Sequence, residues 1–226
     1  MEKLLDIAKE RRATKVYNGK LISSEDLQYI FEVTNTAPTS MGAEAWRVLN
    51  IRDKVLKTKL EPFFLFNASC MATASDVAIF ITKKSEAFYD TPWIKTRILN
   101  LLQEVDQTFG TNKVNDPEEI YKLMEFYKTH DSGDNGRNHT EWSKRQSYIA
   151  LGYMMLAAKE LGIDSTPVEG FVGADLNDFL LANKLMEDNE NVSVIALLGY
   201  SASIEKHPFL GIKQTRIPVS EKFIIK

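Results

Sequence analysis

The sequence predicts an α+β fold in which helices flank a single sheet. Two continuous runs of apolar, mostly β-branched and aliphatic residues, at 76–82 and 192–200, are typical of strands buried on both faces. The residues between these runs are mainly helical in pattern. Because strands and helices do not alternate strictly, the sequence disfavours a repeated βαβ arrangement.

The N-terminal part is predicted to contain two helices and a strand. Apolar residues recur at helical spacing over 2–12 and again from Ser23 to Asn35. Pro38 disfavours the helical conformation of the residue before it, so the second helix should end there and give way to a loop. A strand is expected to follow over 46–51.

The middle of the chain is predicted to hold three helices. The first covers about 92–106, and the second begins at Pro117 with Asp116 as its N-cap. The third, over 141–161, is apolar nearly all round and ends at Gly162, so we expect it to be the central helix of the core. Its apolar part is too short to span a membrane. The second helix places four residues on one apolar face: Ile120, Leu123, Met124 and Tyr127.

The composition is that of an ordinary globular protein: 44% of the 226 residues are apolar and 26% are charged. The 28 Lys and Arg residues against 31 Asp and Glu give a net charge of −3, so no global charge draws the chain to nucleic acid or a membrane. The single cysteine, Cys70, excludes an intrachain disulfide and multi-cysteine metal sites. The charged N-terminal segment is not typical of a signal peptide, so we expect a cytoplasmic protein without a bound metal.

Common catalytic motifs are missing from the sequence. It contains neither of the glycine-rich nucleotide-binding motifs, G-x-G-x-x-G and G-x-x-x-x-G-K-[ST], nor G-x-S-x-G, nor H-E-x-x-H. Residues 131–136 superficially resemble a calcium loop, but Gly133 and Trp142 stand where ligands are required. We interpret this segment as a turn-rich loop.

Two groups of cations could hold a phosphate. Arg11, Arg12 and Lys15 follow the first helix directly, and Arg216 lies near the C-terminus with Lys213 three residues before it. Guanidinium groups bind phosphate through paired hydrogen bonds. Cations at the end of a helix are also favoured by the helix dipole, so neither group alone decides for a binding site.

Five sequence elements in a particular order resemble the FMN-dependent nitroreductase family over almost the whole chain. They are Arg11-Arg12-Ala13-Thr14-Lys15, similar to R-[RH]-[SA]-x-[KR]; Ala37 to Trp46, similar to A-P-S-S-x-N-x-Q-P-W; Gln146 in the central helix; Leu151 to Phe171, ending in L-G-I-D-S-T-P-V-E-G-F; and the 194–200 strand followed by Arg216-Ile217-Pro218. The fourth element is the most specific. The chain departs from the family pattern at Gly42, Glu44 and Ala45, where Asn, Gln and Pro are common, and at Cys70 in place of a Lys.

The resemblance implies one domain over 1–226 with a mixed sheet, a bound FMN, and NADPH or NADH as the electron donor. It assigns the backbone of Glu169 and Gly170 to flavin N5, and the first and last elements to the FMN phosphate. The loop at 38–42 would contact the flavin of the partner subunit. The residues implied in FMN binding are Arg11, Arg12, Ala13, Lys15, Pro38, Thr39, Ser40, Gly42, Asn67, Gln146, Pro167, Val168, Glu169, Gly170, Lys213, Gln214 and Arg216.

The resemblance further implies an obligate homodimer with two flavins at the interface. A C-terminal extension from about 212 to 226 would pack as a strand on the partner, and Phe126 and Tyr127 would form a substrate lid. The apolar C-terminal segment independently predicts an interface, because a monomer would leave it exposed. Tyr127 could instead belong to the helix core, since it completes an apolar face.

The implied activity is hydride transfer from NAD(P)H to small electron-poor acceptors such as nitroaromatics or quinones, with reduction and reoxidation alternating at one site in a ping-pong mechanism. Flavin chemistry needs no protein nucleophile, which agrees with the lack of an evident acid–base pair in the sequence. Two alternatives stay open. One is a flavin reductase or enoate reductase, and the other is a flavin-binding protein without turnover.

Overall fold

A computed structural model describes residues 3–89, 91–129, 138–202 and 215–226. Its sheet consists of β1 (Trp46–Ile51), β2 (Asp76–Lys83), β3 (Asp164–Val168) and β4 (Glu190–Gly199), in the order β1-β2-β4-β3. All three pairs of neighbouring strands are antiparallel. The family resemblance implies a mixed sheet, with both parallel and antiparallel pairing. In the described residues, the parallel pairing is limited to an isolated bridge between Ala13 and Ser165 of β3.

The described part of the chain also contains nine α-helices. None of them is long and apolar enough to cross a membrane. They are α1 (Lys3–Glu10), α2 (Ser24–Asn35), α3 (Lys54–Leu60), α4 (Ala68–Thr73), α5 (Pro92–Phe109), α6 (Pro117–Thr129), α7 (His139–Glu160), α8 (Gly173–Ala182) and α9 (Val219–Lys222).

Helices cover both faces of the sheet, and β2 is therefore buried along its whole length. Ala78 and Phe80 belong to one apolar cluster with residues of α2 and α7. Val77 and Ile79 belong to a second cluster with residues of α4 and α8. Successive side chains of a strand point to opposite faces, which explains why β2 is apolar without interruption.

The central position of α7 is confirmed. This helix packs against α1, α2 and all four strands. Ala150, Ala157 and Ala158 are buried on it, and such small side chains let neighbouring elements approach closely. Gly162 follows the helix with φ of 73°, the left-handed conformation in which glycine commonly ends helices.

A third apolar cluster joins α5, α6 and the first turns of α7. Ile98, Tyr127 and Trp142 are buried in it, together with Ala43 and Ala45 from the segment before β1. The predicted apolar face of α6 is confirmed by the residues that pack here: Ile120, Leu123, Met124 and Tyr127.

Some short elements differ from the prediction. Residues 164–168 form the edge strand β3, although the sequence from Thr166 onward indicates a turn. Pro167 is tolerated there because an edge strand leaves one side of its backbone without a strand partner. The helices α3, α4 and α8 have no counterpart in the prediction, because they are short or weakly periodic.

The C-terminal segment does not form the expected strand within a single chain. Val219–Lys222 is a short helix, and the described residues on either side of it are neither helical nor extended in a sheet. Ile224 and Ile225 are 76% and 99% exposed. A strand requires a neighbour for its backbone hydrogen bonds, so packing of this segment on a partner stays a prediction.

Candidate active site

The cationic segment after α1 lies alongside β3. Ala13 forms a bridge with Ser165, and the carbonyl oxygen of Thr14 accepts hydrogen bonds from Thr166 Oγ1 at 2.5 Å and from Cys70 Sγ at 3.2 Å. The two sequence elements at 11–15 and 164–171 are thereby joined, as the resemblance requires.

The C-terminal arginine approaches the same segment. The pKa of Arg11 is lowered by burial of its guanidinium and, in addition, by the positive charge of Arg216. The guanidinium of Arg216, from the other end of the chain, therefore lies near enough to act on the charge of Arg11. Guanidinium groups that converge in this way suit an anion such as phosphate. Lys213 and Gln214, the alternatives for a further phosphate contact, lie outside the described residues.

Lys15 lies near the thiol of Cys70. Burial raises the pKa of Cys70 to about 11, although the positive charge of Lys15 acts in the opposite direction. The side chains of Arg12 and Lys15 are partly buried. Cys70 therefore behaves as a small apolar core residue in the position where the family commonly has a Lys.

A short antiparallel pairing brings the segment just before Asn67 beside Gly170. The N–H of Leu65 donates to the carbonyl oxygen of Gly170 at 2.9 Å, and Phe64 forms a bridge with Phe171. The side chain of Asn67 makes no hydrogen bond to another described residue. Its amide can therefore serve a ligand.

The turn after β3 presents two backbone donors. Within the described chain, no acceptor is found for the N–H groups of Glu169 and Gly170. A Cβ placed on Gly170 would lie 3.5 Å from the ring of Phe66, which is ordinary contact, so the fold itself does not require a glycine there. The adjacent Pro167 is exposed and Val168 is buried.

Tyr148 of α7 fixes the side chain of Glu169. Its hydroxyl donates a hydrogen bond to the Glu169 carboxylate. Burial raises the pKa of Tyr148, and the hydrogen bond and negative charge of Glu169 raise it further, so the phenol stays protonated.

The loop before β1 is also attached to α7. The N–H of Ser40 donates to Oε1 of the buried Gln146 at 2.9 Å. Gln146 and Tyr148 are two residues apart on a helix and do not share a face. The loop at 38–42 and the turn at Glu169 therefore contact different faces of α7 within one chain. Within the described residues, a single chain does not bring these two elements together.

A residue that the sequence did not single out, Arg97 of α5, holds this loop. Its Nε donates to the carbonyl oxygen of Gly42 at 2.8 Å, and its Nη2 lies 2.9 Å from Oε1 of Glu44. This ion pair gives a physical reason for a carboxylate at position 44, where Gln is common in the family. No pattern at Arg97 signals the role, because its partners are distant in sequence.

For Tyr127 the structure favours the helix core over the lid. Tyr127 is 1% exposed, and its hydroxyl donates to the carbonyl oxygen of Met41 at 2.6 Å. Burial and this hydrogen bond hold the ring in place within the chain. Phe126, on the same helix, is 40% exposed and stays a candidate for the lid.

These groups fit a flavin mononucleotide. The paired cations suit a phosphate, and the free backbone donors and the Asn67 amide suit the polar edge of a flat heteroaromatic ring.

A sequence profile of the Nitroreductase family matches residues 8–200 of the chain. The chain belongs to the Nitroreductase family. A Haemophilus influenzae protein assigned as an NAD(P)H nitroreductase is 34% identical over 218 residues, which cover 94% of each chain.

Solved structures of nitroreductases share the fold. One from Bacillus subtilis matches with a TM-score of 0.79 at 18% identity, over 100% of both chains. Another, from Exiguobacterium sibiricum and in complex with FMN, matches with a TM-score of 0.77 at 19% identity, over 99% of this chain and 97% of the other. The Nitroreductase family match includes Arg11, Asn67, Gln146 and Gly170 and ends before Arg216.

Proposed function

We propose that this protein is a homodimeric FMN-dependent oxidoreductase that takes hydride from NADH or NADPH. It passes the hydride to small electron-poor acceptors, such as nitroaromatics or quinones, in a ping-pong mechanism. Family membership supports this proposal, as do the name of the Haemophilus influenzae relative and the FMN bound to the Exiguobacterium sibiricum structure.

The apposition of Arg11 and Arg216 carries the proposal. Arg11 is attached to the segment that runs along β3, and Arg216 comes from the far end of the chain. A phosphate placed between them would relieve their mutual repulsion and accept charge-assisted hydrogen bonds from both. Arg12, Ala13 and Lys15 would complete this end of the site.

The turn at 167–170 would form the other end. Bound FMN supplies the hydride-transfer chemistry through its N5 atom. The N–H groups of Glu169 and Gly170 would donate hydrogen bonds at that atom, and the absence of a side chain on Gly170 would allow close approach. Asn67 would orient the ring from the neighbouring segment. We assign no side-chain acid or base to the reaction.

Two copies of the chain would complete the site. Because the loop at 38–42 and the turn at Glu169 contact different faces of α7, the loop of one copy would serve the flavin held by the other. Exposed apolar side chains on α7 and α1 provide a surface for this association: Leu4, Leu5, Tyr148, Ile149 and Tyr153. The extension from about 212 to 226 would pack on the partner, as part of one domain over 1–226. Phe126 would act as the lid.

An absorbance spectrum of the purified protein, before and after anaerobic addition of NADPH and then NADH, tests the proposal. We expect the absorption bands of oxidised flavin, followed by bleaching. Lack of flavin after reconstitution with FMN would overturn the proposal, and bound flavin that neither donor reduces would indicate a binding protein. Turnover with nitroaromatics, quinones, enoates and free flavin then identifies the acceptor class.

A further inference from the structure

The segment from Ser40 to Glu44 has an unusual backbone conformation. Met41, Gly42 and Glu44 have φ values of 57°, 59° and 47°. Two of these three residues, Met41 and Glu44, are not glycine, and residues with a side chain rarely adopt this backbone conformation. We call 40–44 the left-handed loop. Such a backbone persists only where its surroundings fix it.

Side chains from two helices fix the left-handed loop at successive carbonyl groups. Tyr127 of α6 donates to the carbonyl oxygen of Met41 at 2.6 Å, and Arg97 of α5 donates from Nε to that of Gly42 at 2.8 Å. Arg97 also pairs with Glu44, whose side chain is 56% exposed. The helical cluster of α5 and α6 therefore determines where the loop lies.

The Arg97–Glu44 ion pair acts on the conformation of the loop and not on the stability of the whole protein. An ion pair at the protein surface contributes little to the stability of the whole fold. The Arg97 guanidinium nevertheless contacts the loop at two points, which fixes both the position and the direction of the backbone. Loss of Arg97 should therefore change the conformation of the loop.

We propose that Arg97 and Tyr127 are positioning residues that hold the left-handed loop in the shape required for FMN binding. This inference rests on the proposed function, in which Ser40 and Gly42 contact the flavin. Neither Arg97 nor Tyr127 belongs to the predicted FMN contacts. Each acts through the loop backbone. The ring of Tyr127 also lies edge-on to Phe126, with centroids 6.2 Å apart, so the loop and the candidate lid share one support.

Titration of the flavin-free protein with FMN, followed by quenching of FMN fluorescence, tests the inference. Tyr127→Phe keeps the ring and removes one hydrogen bond. Arg97→Lys keeps the positive charge and removes the guanidinium that contacts both Gly42 and Glu44. We expect each to weaken FMN binding about fivefold, the effect of one lost hydrogen bond. The double variant should lose less than the product of the two effects, since both residues act on the same loop.

Tyr121→Phe is the matched control, because Tyr121 lies on the same helix and is 62% exposed. Its FMN affinity should equal that of the wild type. If Tyr127→Phe does not fold, Glu44→Gln replaces it: this variant should keep the wild-type melting temperature and weaken FMN binding about twofold to threefold.

The outcomes separate the two proposals. A wild-type protein that does not bind FMN overturns the proposed function itself. A wild type that binds FMN, together with folded Tyr127→Phe and Arg97→Lys variants that bind it equally well, overturns the positioning role alone. Independent, fully multiplicative losses in the double variant also contradict it.

Discussion

Burial of its guanidinium lowers the pKa of Arg11, and the positive charge of Arg216, from the opposite end of the chain, lowers it further. Guanidinium groups from distant parts of a chain that converge in this way suit an anion. A dianionic phosphate would accept charge-assisted hydrogen bonds from both. We therefore expect FMN binding to depend on the position of the C-terminal segment.

We expect Arg11→Ala and Arg216→Ala each to weaken FMN binding by about 1.5–3 kcal/mol, the contribution of a charge-assisted hydrogen bond. Fluorescence titration at low and high salt measures this loss, which should be smaller at high salt. Lys122→Ala is a suitable control, because in the described chain Lys122 pairs only with Glu118 and Glu119 on its own helix, α6. Unchanged flavin retention in both arginine variants would contradict the phosphate site.

Gly170→Val should disturb the flavin site more than the fold. A Cβ at this position meets only the Phe66 ring at an ordinary distance, whereas a side chain would obstruct a flavin above the turn. We expect a near-normal melting temperature with an altered flavin spectrum or slower reduction by NADPH.

Gly199→Ala is the opposite case and serves as its control. Its Cβ would lie 2.9 Å from the ring of Tyr17 and 3.1 Å from the backbone nitrogen of Ser75, so β4 or its neighbour would have to move. This variant should lower the melting temperature. A normal flavin spectrum and reduction rate in Gly170→Val would contradict the assigned close approach.

The thiol of Cys70 should be unreactive in the folded protein. Burial raises its pKa to about 11, so little thiolate exists at neutral pH, and Cys70 as a residue is only 3% exposed. We expect slow modification by a disulfide reagent at pH 8, and fast modification after unfolding in guanidinium. Rapid reaction of the native protein would show that the segment around Cys70 opens readily.

Glu190 should make the fold sensitive to acid. Burial alone would raise its pKa, but hydrogen bonds from Arg47, the backbone of Glu187 and Lys83 lower it to about 2. Because the folded-state pKa lies below the unfolded value, this stabilisation is present above about pH 4.5 and is lost as the pH falls towards 2. It corresponds to about 3 kcal/mol at neutral pH.

Urea unfolding between pH 7 and pH 3 measures this effect. Glu190→Gln should be less stable at pH 7 and should lose less stability on acidification than the wild type. Glu118→Gln, at an exposed position on α6, should follow the wild-type pH dependence. If Glu190→Gln and the wild type lose the same stability between pH 7 and pH 3, carboxylates other than Glu190 cause the loss.

The long elements could be predicted from the sequence, whereas the short ones could not. β2 and β4 are continuous apolar runs because both of their faces are covered, and α7 has the length and small residues of a core helix. β3 contains Ser165, Thr166 and Pro167, which in isolation favour a turn. Its extended shape depends on pairing with β4, which local sequence does not encode.

The candidate site likewise contains residues that could be predicted from the sequence and residues that could not. Contiguous motifs identified the segments at 11–15 and 167–170, and the structure places the first of them along β3, the strand that leads into the second. The contacts of Arg97 were not predictable, because its partners, the carbonyl group of Gly42 and the carboxylate of Glu44, are more than 50 residues away in sequence. Tyr127 was ambiguous, since an aromatic residue that completes an apolar face can be buried or lie at its margin.

The exposed apolar C-terminus has a consequence for how stability should be measured. If this segment packs on a second copy, the folded state gains free energy from association, and by mass action the melting temperature must rise with protein concentration. Dilution would then release the C-terminal segment from the second copy and, because Arg216 lies on this segment, weaken FMN binding. We expect flavin to dissociate from dilute samples sooner than its affinity in concentrated solution predicts.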